Sequence, residues 1–180
     1  MKLHNLVRGA LLLALGVVLP FLFHSTGIAG PVFLPMHIPV LLAGFLVCPW
    51  AGIYVGLFSP LISHFITGGA MPPMAPVPQL IFMMVELPVL GLFAALLYRK
   101  LKLNISLALP GALIAGRIAL GLAVWVFIGV LGYEFAFTPL AFVTTAITTG
   151  IPGIAIQLAI IPILVHAVER RRSPWAEISR

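Results

Sequence analysis

Six apolar stretches run through the 180 residues, and between them lies almost nothing polar enough to build a soluble domain. They cover about 6–24, 35–48, 50–67, 79–98, 106–132 and 142–168. A helix needs about 20 apolar residues to cross the hydrocarbon core of a bilayer. The chain therefore has room for six crossings joined by short connections. Only 8% of the residues are charged and 62% are hydrophobic, whereas a soluble domain is roughly a quarter charged. Four acidic and ten basic side chains cannot cover a domain of this size in water. The expected fold is all-α: an integral membrane protein with a six-transmembrane-helix bundle, forming a single membrane domain over 1–180. The second stretch is short, and Pro39 interrupts it. It needs help from 31–36 to cross.

Charge placement orients this bundle. Lys2 and Arg8 precede or begin span one, Arg99, Lys100 and Lys102 separate spans four and five, and Arg170, Arg171, Arg172 and Arg180 lie in the tail. Six crossings put all three clusters on one side. The connections on the other side, 25–35, 69–78 and 131–141, hold no Lys or Arg. The positive-inside rule then makes both termini cytoplasmic. Residues 169–180 form a cytoplasmic tail with Trp175 at headgroup level. The basic start and the run from Ala10 to Phe23 also fit a cleaved secretory signal. Without a small-x-small site directly after that run, the segment is expected to stay as span one. The net charge of +6 is thus a topology signal, not a nucleic-acid signal. The lone Cys48 excludes an internal disulfide and any CxxC motif.

One basic residue has no place in this scheme. Arg117 falls near the middle of span five, and Glu86 lies in the outer half of span four. Each costs about 2.5–3.5 kcal/mol at the centre of a bilayer on insertion scales, so both should face the bundle interior or a wet cavity. They either neutralise each other and tie two helices together, or hold a solute, with Arg117 attracting an anionic group and Glu86 accepting from a donor. Gln79 is seven residues before Glu86, on the same helix face and nearer the exterior. Further polar residues gather toward the outer side: His24, His37, His64, Ser59, Ser63, Thr144, Thr145, Thr148 and Thr149. Of these His37, His64, Ser63, Thr145 and Thr148 join Arg117, Glu86, Gln79 and Trp125 as the candidate solute-binding set. Each hydroxyl or ring taken singly has an ordinary explanation in a hydrogen bond to a neighbouring carbonyl; the shared outward bias points to a pocket open on that side. Three uncharged or aromatic segments lie over it: Phe33 to Met36, Gly68 to Pro78, and Tyr133 to Phe137 around Glu134.

Enzyme signatures are missing from the sequence. There is no Asp, no GxSxG, no HExxH and no P-loop, so the chain has no nucleotide-binding motif of its own. Ser59 or Ser63 with His64 would make at most a dyad without an acidic orienter. Met36-His37-Ile38-Pro39 looks like the amino terminus of cobalt and nickel uptake subunits, but here Met36 is internal and its nitrogen is an amide. No metal and no bound cofactor are expected. Small residues recur at a spacing of four: Ala10 and Ala14, Gly52 and Gly56, and Ala108, Ala112 and Gly116. Such faces admit a second helix at close range, inside the bundle or outside it.

The stretches FLPMHIPVLLAGFLVCPWAGIYVGLFSPLIS, TGGAMPP and VELPVLGLFAALLYRKL, with the AxxxA of span one, carry a resemblance. The chain resembles the substrate-binding S component of an energy-coupling factor (ECF) vitamin transporter over nearly its whole length, most specifically over 33–98. The resemblance implies a six-helix bundle in the plasma membrane of a bacterium or archaeon, binding one vitamin near the outer surface. It also implies docking to a transmembrane coupling subunit that works with two cytoplasmic ATPases, with Ala10, Ala14, Gly52 and Gly56 as the docking set. ATP would then be used by the partners. LPMHIPVLLAGF looks most like S components assigned to pantothenate or left without a substrate. Pantothenate, a small anionic amide, suits Arg117, whereas a neutral precursor such as a pyrimidine suits Glu86. An intramembrane enzyme and a purely structural membrane subunit are the alternatives from other classes.

Overall fold

The computed structural model describes residues 3–25, 30–66, 77–130, 132 and 138–177, and every element among them is helical. In chain order these are α1 (Leu3–Ser25), α2 (Gly30–Phe33), α3 (His37–Leu46), α4 (Pro49–Ile66), α5 (Val77–Ala95), α6 (Ile105–Gly129) and α7 (Pro139–Glu177). A π-helical turn, Leu96–Lys100, closes the end of α5. Five of the helices are long and apolar enough to cross a membrane: α1, α4, α5 with its π turn, α6 and α7. The protein is a multi-pass membrane protein. The remaining apolar stretch, the second in the chain, is a helix of only ten residues, α3, about 15 Å long at 1.5 Å per residue and half the thickness of a hydrocarbon core.

Packing nevertheless requires α3 to run as a return leg. Ala51 of α4 lies beside Gly9 of α1, and Ser59 lies beside Gly16, so α1 and α4 run parallel. The chain between them must come back, and α3 does so through the interior, burying seven of its ten residues. Its far end, Phe45, meets Tyr98 ring edge to face at 5.5 Å, and Tyr98 donates to Glu169 of α7 at 2.8 Å. The starts of α1 and α4 and the ends of α3, α5 and α7 therefore share one end of the bundle. Arg8, Arg99, Lys100, Lys102 and Arg170 lie on segments at that end, as the charge pattern requires.

Glycine sets the closest approach. A side chain at Gly52 of α4 would lie 2.6 Å from the backbone of Gly91 in α5, and one at Gly56 would lie 2.5 Å from the backbone of Leu87. Gly44 of α3 faces the same Gly91 and, at 2.9 Å, Ala94. Three helices thus converge where no Cβ fits. Gly52 and Gly56 are spent here, inside the bundle, and do not form an outward docking face. Ala10 and Ala14 do the opposite. Both are exposed, amid Leu3, Val7, Leu11 and Val18 on the open side of α1.

Two boundaries differ from the sequence expectation. Helix α7 continues through Glu169 and Arg170 to Glu177, so 169–177, expected as a tail, is helical and continuous with the last span; Ala, Glu and Arg are strong helix formers. Helix α6 ends at Gly129 rather than 132, and Gly132 adopts φ +68°, a left-handed conformation outside the helix. Most of the segment 68–78 and all of 133–137, expected to cover the site, lie outside the described residues.

Candidate substrate site

Three polar side chains from three helices meet in the interior. Arg117 of α6 donates from Nη1 to Glu86 Oε1 of α5 at 2.9 Å. His37, at the start of α3, places Nε2 3.4 Å from the same oxygen. Glu86 and His37 are buried, and the Arg117 side chain is 14% exposed. Sequence alone left open whether Glu86 and Arg117 pair; they pair directly. Both contacts fall on Oε1, and among the described residues Glu86 has no further hydrogen bond or ion pair. A buried ion pair of this kind gains in attraction about what it loses in desolvation, so it is weak as a stabiliser and well placed as a binding element.

Local structure explains the arrangement. Glu86 is nine residues into α5 and Arg117 twelve into α6, about 14 Å and 18 Å along helices that run antiparallel. Both therefore lie at mid-bundle depth. Gly116, beside Arg117, lets Leu90 come within 3.3 Å of where a Cβ would be, which brings α5 and α6 together at this level. On the far side, a Cβ at Gly150 of α7 would be 3.5 Å from Arg117 Nη2 and 3.0 Å from Leu34. Leu34 adopts φ +48°, a left-handed conformation disfavoured for a side chain of this type, and its carbonyl accepts from His37 N at 3.0 Å. The strained residue thus starts α3 and shares the Gly150 surface with Arg117. Residues 32 and 33 pack on Gly153 one turn along.

The other expected site residues are dispersed. Trp125 is 56% exposed and lines, with Arg117, an apolar crevice of about 740 Å³ between α6 and α7. Ser63 is buried on α4, and His64 is half-buried with its ring 5.9 Å from Phe65. Thr145 and Thr148 are exposed, and their hydroxyls donate to Ala141 O at 2.8 Å and Thr145 O at 3.1 Å. Both are satisfied by their own helix. Gln79 belongs to α5 and His24 to α1, but their side chains lie outside the described ones.

One buried polar residue escaped the sequence reading. Gln157 of α7 is fully buried, and neither amide atom has a partner among the described residues. Nδ1 of His37 is in the same condition. Buried polar atoms normally have partners, and these are exceptions among the described residues. The signal for Gln157 was a single amide in an otherwise apolar run, seven residues after Gly150 on the same buried face.

A family model described as "ECF transporter, substrate-specific component" matches residues 4–165. The chain belongs to that family. No curated protein and no solved structure matches it. As an ECF substrate-specific component it is a substrate-binding subunit of a transporter and not an enzyme. Such a component associates with the transporter's ATPases and transmembrane coupling subunit and takes a small-molecule substrate.

Proposed function

We propose that this S component captures a small vitamin or vitamin precursor on the side opposite its basic end, with pantothenate the favoured ligand. In this reading α3 counts as the sixth crossing, both termini are cytoplasmic by the positive-inside rule, and the membrane is that of a bacterium or archaeon. The observation that carries it is the His37–Glu86–Arg117 cluster: ionisable groups at this depth are expensive unless they serve a ligand or pathway. Arg117 would hold the carboxylate, with His37 and Gln157 available for the amide and hydroxyl groups. Ala10 and Ala14, exposed on α1, would form the docking face for the coupling subunit.

The bond from Arg117 to Glu86 also favours a second reading. The pair is formally neutral, so a neutral ligand with hydrogen-bond donors, such as a pyrimidine, would need no charge compensation and would use Glu86. The two readings separate in a titration of the purified protein. With pantothenate as ligand, Arg117→Ala weakens binding about a hundredfold, the size expected when a buried charged partner is removed. Glu86→Gln removes the internal competitor for Arg117 and tightens pantothenate binding. Pantothenate binding unchanged in Arg117→Ala overturns the anion reading. A neutral ligand would instead lose affinity in Glu86→Gln.

A further inference from the structure

The basic end of the bundle holds a second polar cavity, of about 630 Å³, far from the cluster around Glu86. Tyr98, Arg99, Lys102, Asn104, His166 and Glu169 supply its polar lining, drawn from the end of α5, the turn into α6 and the end of α7. Its size falls within the roughly 300–1,000 Å³ of ordinary small-molecule sites.

Tyr98 and His166 are engaged, with Glu169 and with Pro162 O at 2.9 Å, but several other donors keep free N–H groups. Lys102 has no ion-pair partner among the described residues and is held at φ +54°, a strained conformation for a side-chain-bearing residue. Arg99 uses Nη1 on Phe45 O at 3.4 Å, which anchors the guanidinium and leaves its other N–H groups. Asn104 caps α6 without a side-chain hydrogen bond. The first amides of a helix have no intrahelical acceptor, so those of Ile105 and Ser106 keep their donors. Against this basic wall stands one acid, Glu169, oriented by the Tyr98 hydroxyl at 2.8 Å. Cations and an anion across one cavity match a ligand that is itself dipolar. The remaining wall is apolar and open: Leu103, just before α6, and Leu107, in its first turn, line the cavity and are 37% and 64% exposed.

We propose that this cavity binds the headgroup of one phospholipid from the leaflet at the basic end. The phosphate sits on Arg99, Lys102 and the first turn of α6. The headgroup's amine or hydroxyl donates to Glu169, and an acyl chain lies along Leu103 and Leu107. Phosphate supplies the shared chemistry with a free inorganic ion, but the apolar wall favours the lipid. The coupling subunit is not the occupant, because α1, where we place its docking face, packs on α3 and α4 rather than on α6 and α7.

Native mass spectrometry of the full chain in detergent tests this, with no vitamin present. The probes are dioleoyl phosphatidylethanolamine, phosphatidylglycerol, phosphatidylcholine and inorganic phosphate. The expected result is one retained phosphatidylethanolamine or phosphatidylglycerol per chain, at least about tenfold tighter than phosphatidylcholine, whose quaternary ammonium has no N–H to donate. The double substitution Arg99→Gln and Lys102→Gln weakens retention at least about tenfold while vitamin affinity and the unfolding temperature stay unchanged. Arg99→Lys with Lys102→Arg keeps the lipid, and Glu169→Gln lowers phosphatidylethanolamine retention; these variants carry the test if the first fails to fold. Retention independent of headgroup, or equal in the neutralised variant, overturns the proposal. So does inorganic phosphate binding as tightly as the lipids, which would make this a free-anion site.

Discussion

Two pairs of small residues with the same spacing meet opposite fates in this molecule. Gly52 and Gly56 lie against the backbone of α5, with Gly91 and Leu87 so near that no side chain fits. Ala10 and Ala14 look outward from α1, whose apolar window is 17% buried against 44% for the window of α5. Spacing of four tells a reader that two helices can approach closely; it does not say which helix arrives. The glycine pair is used up in forming the bundle. The alanine pair is left exposed on α1, and under the function proposed above it is the face offered to the coupling subunit.

The comparison breaks most sharply at Gly91. Gly91→Leu forces α3, α4 and α5 apart, and we expect a loss of about 3 kcal/mol or more, the upper end for overpacking. Thermal unfolding in detergent and loss of a monodisperse elution peak read it. Next comes Ala14→Trp, which should abolish uptake in cells carrying the whole transporter while the purified subunit keeps its ligand affinity within about twofold and its stability within about 0.5 kcal/mol, as for other surface changes. Normal uptake in that variant removes α1 as the docking face. The smallest effect belongs to Ala10→Gly. It keeps the face small, so uptake should persist, at a stability cost of at most about 1 kcal/mol from helix propensity. Loss of uptake there would mean that the methyl group itself makes the contact.

The fold was legible because solvent chose it. With four acidic residues in 180, only a bundle in lipid can satisfy the backbone, and the basic clusters mark one end. The length of α3 was less legible, because an apolar run does not reveal that its helix starts after a left-handed Leu34. Glu86 and Arg117 stood out as charges without solvent. His37 did not stand out in the same way. It was grouped with His24 and His64 near the outer surface, and only the return of α3 through the interior places it beside Glu86. Thr145 and Thr148 show the opposite case: hydroxyls in a helix have a carbonyl within reach, and these two donate to Ala141 O and Thr145 O.

Because one carboxylate oxygen serves both Arg117 and His37, the three helices that carry them do not respond independently. A ligand that draws Arg117 off Oε1 changes the hold on His37 in the same event, and His37 is the first residue of α3. The other end of that helix accepts the Arg99 guanidinium at Phe45 O. Helix α3, ten residues long, thus spans from the His37–Glu86–Arg117 cluster to the basic end of the bundle, so a ligand that moved His37 would be felt along it. Linkage makes this reciprocal: a partner that prefers one position of α3 must alter ligand affinity by the same factor as the ligand alters affinity for the partner.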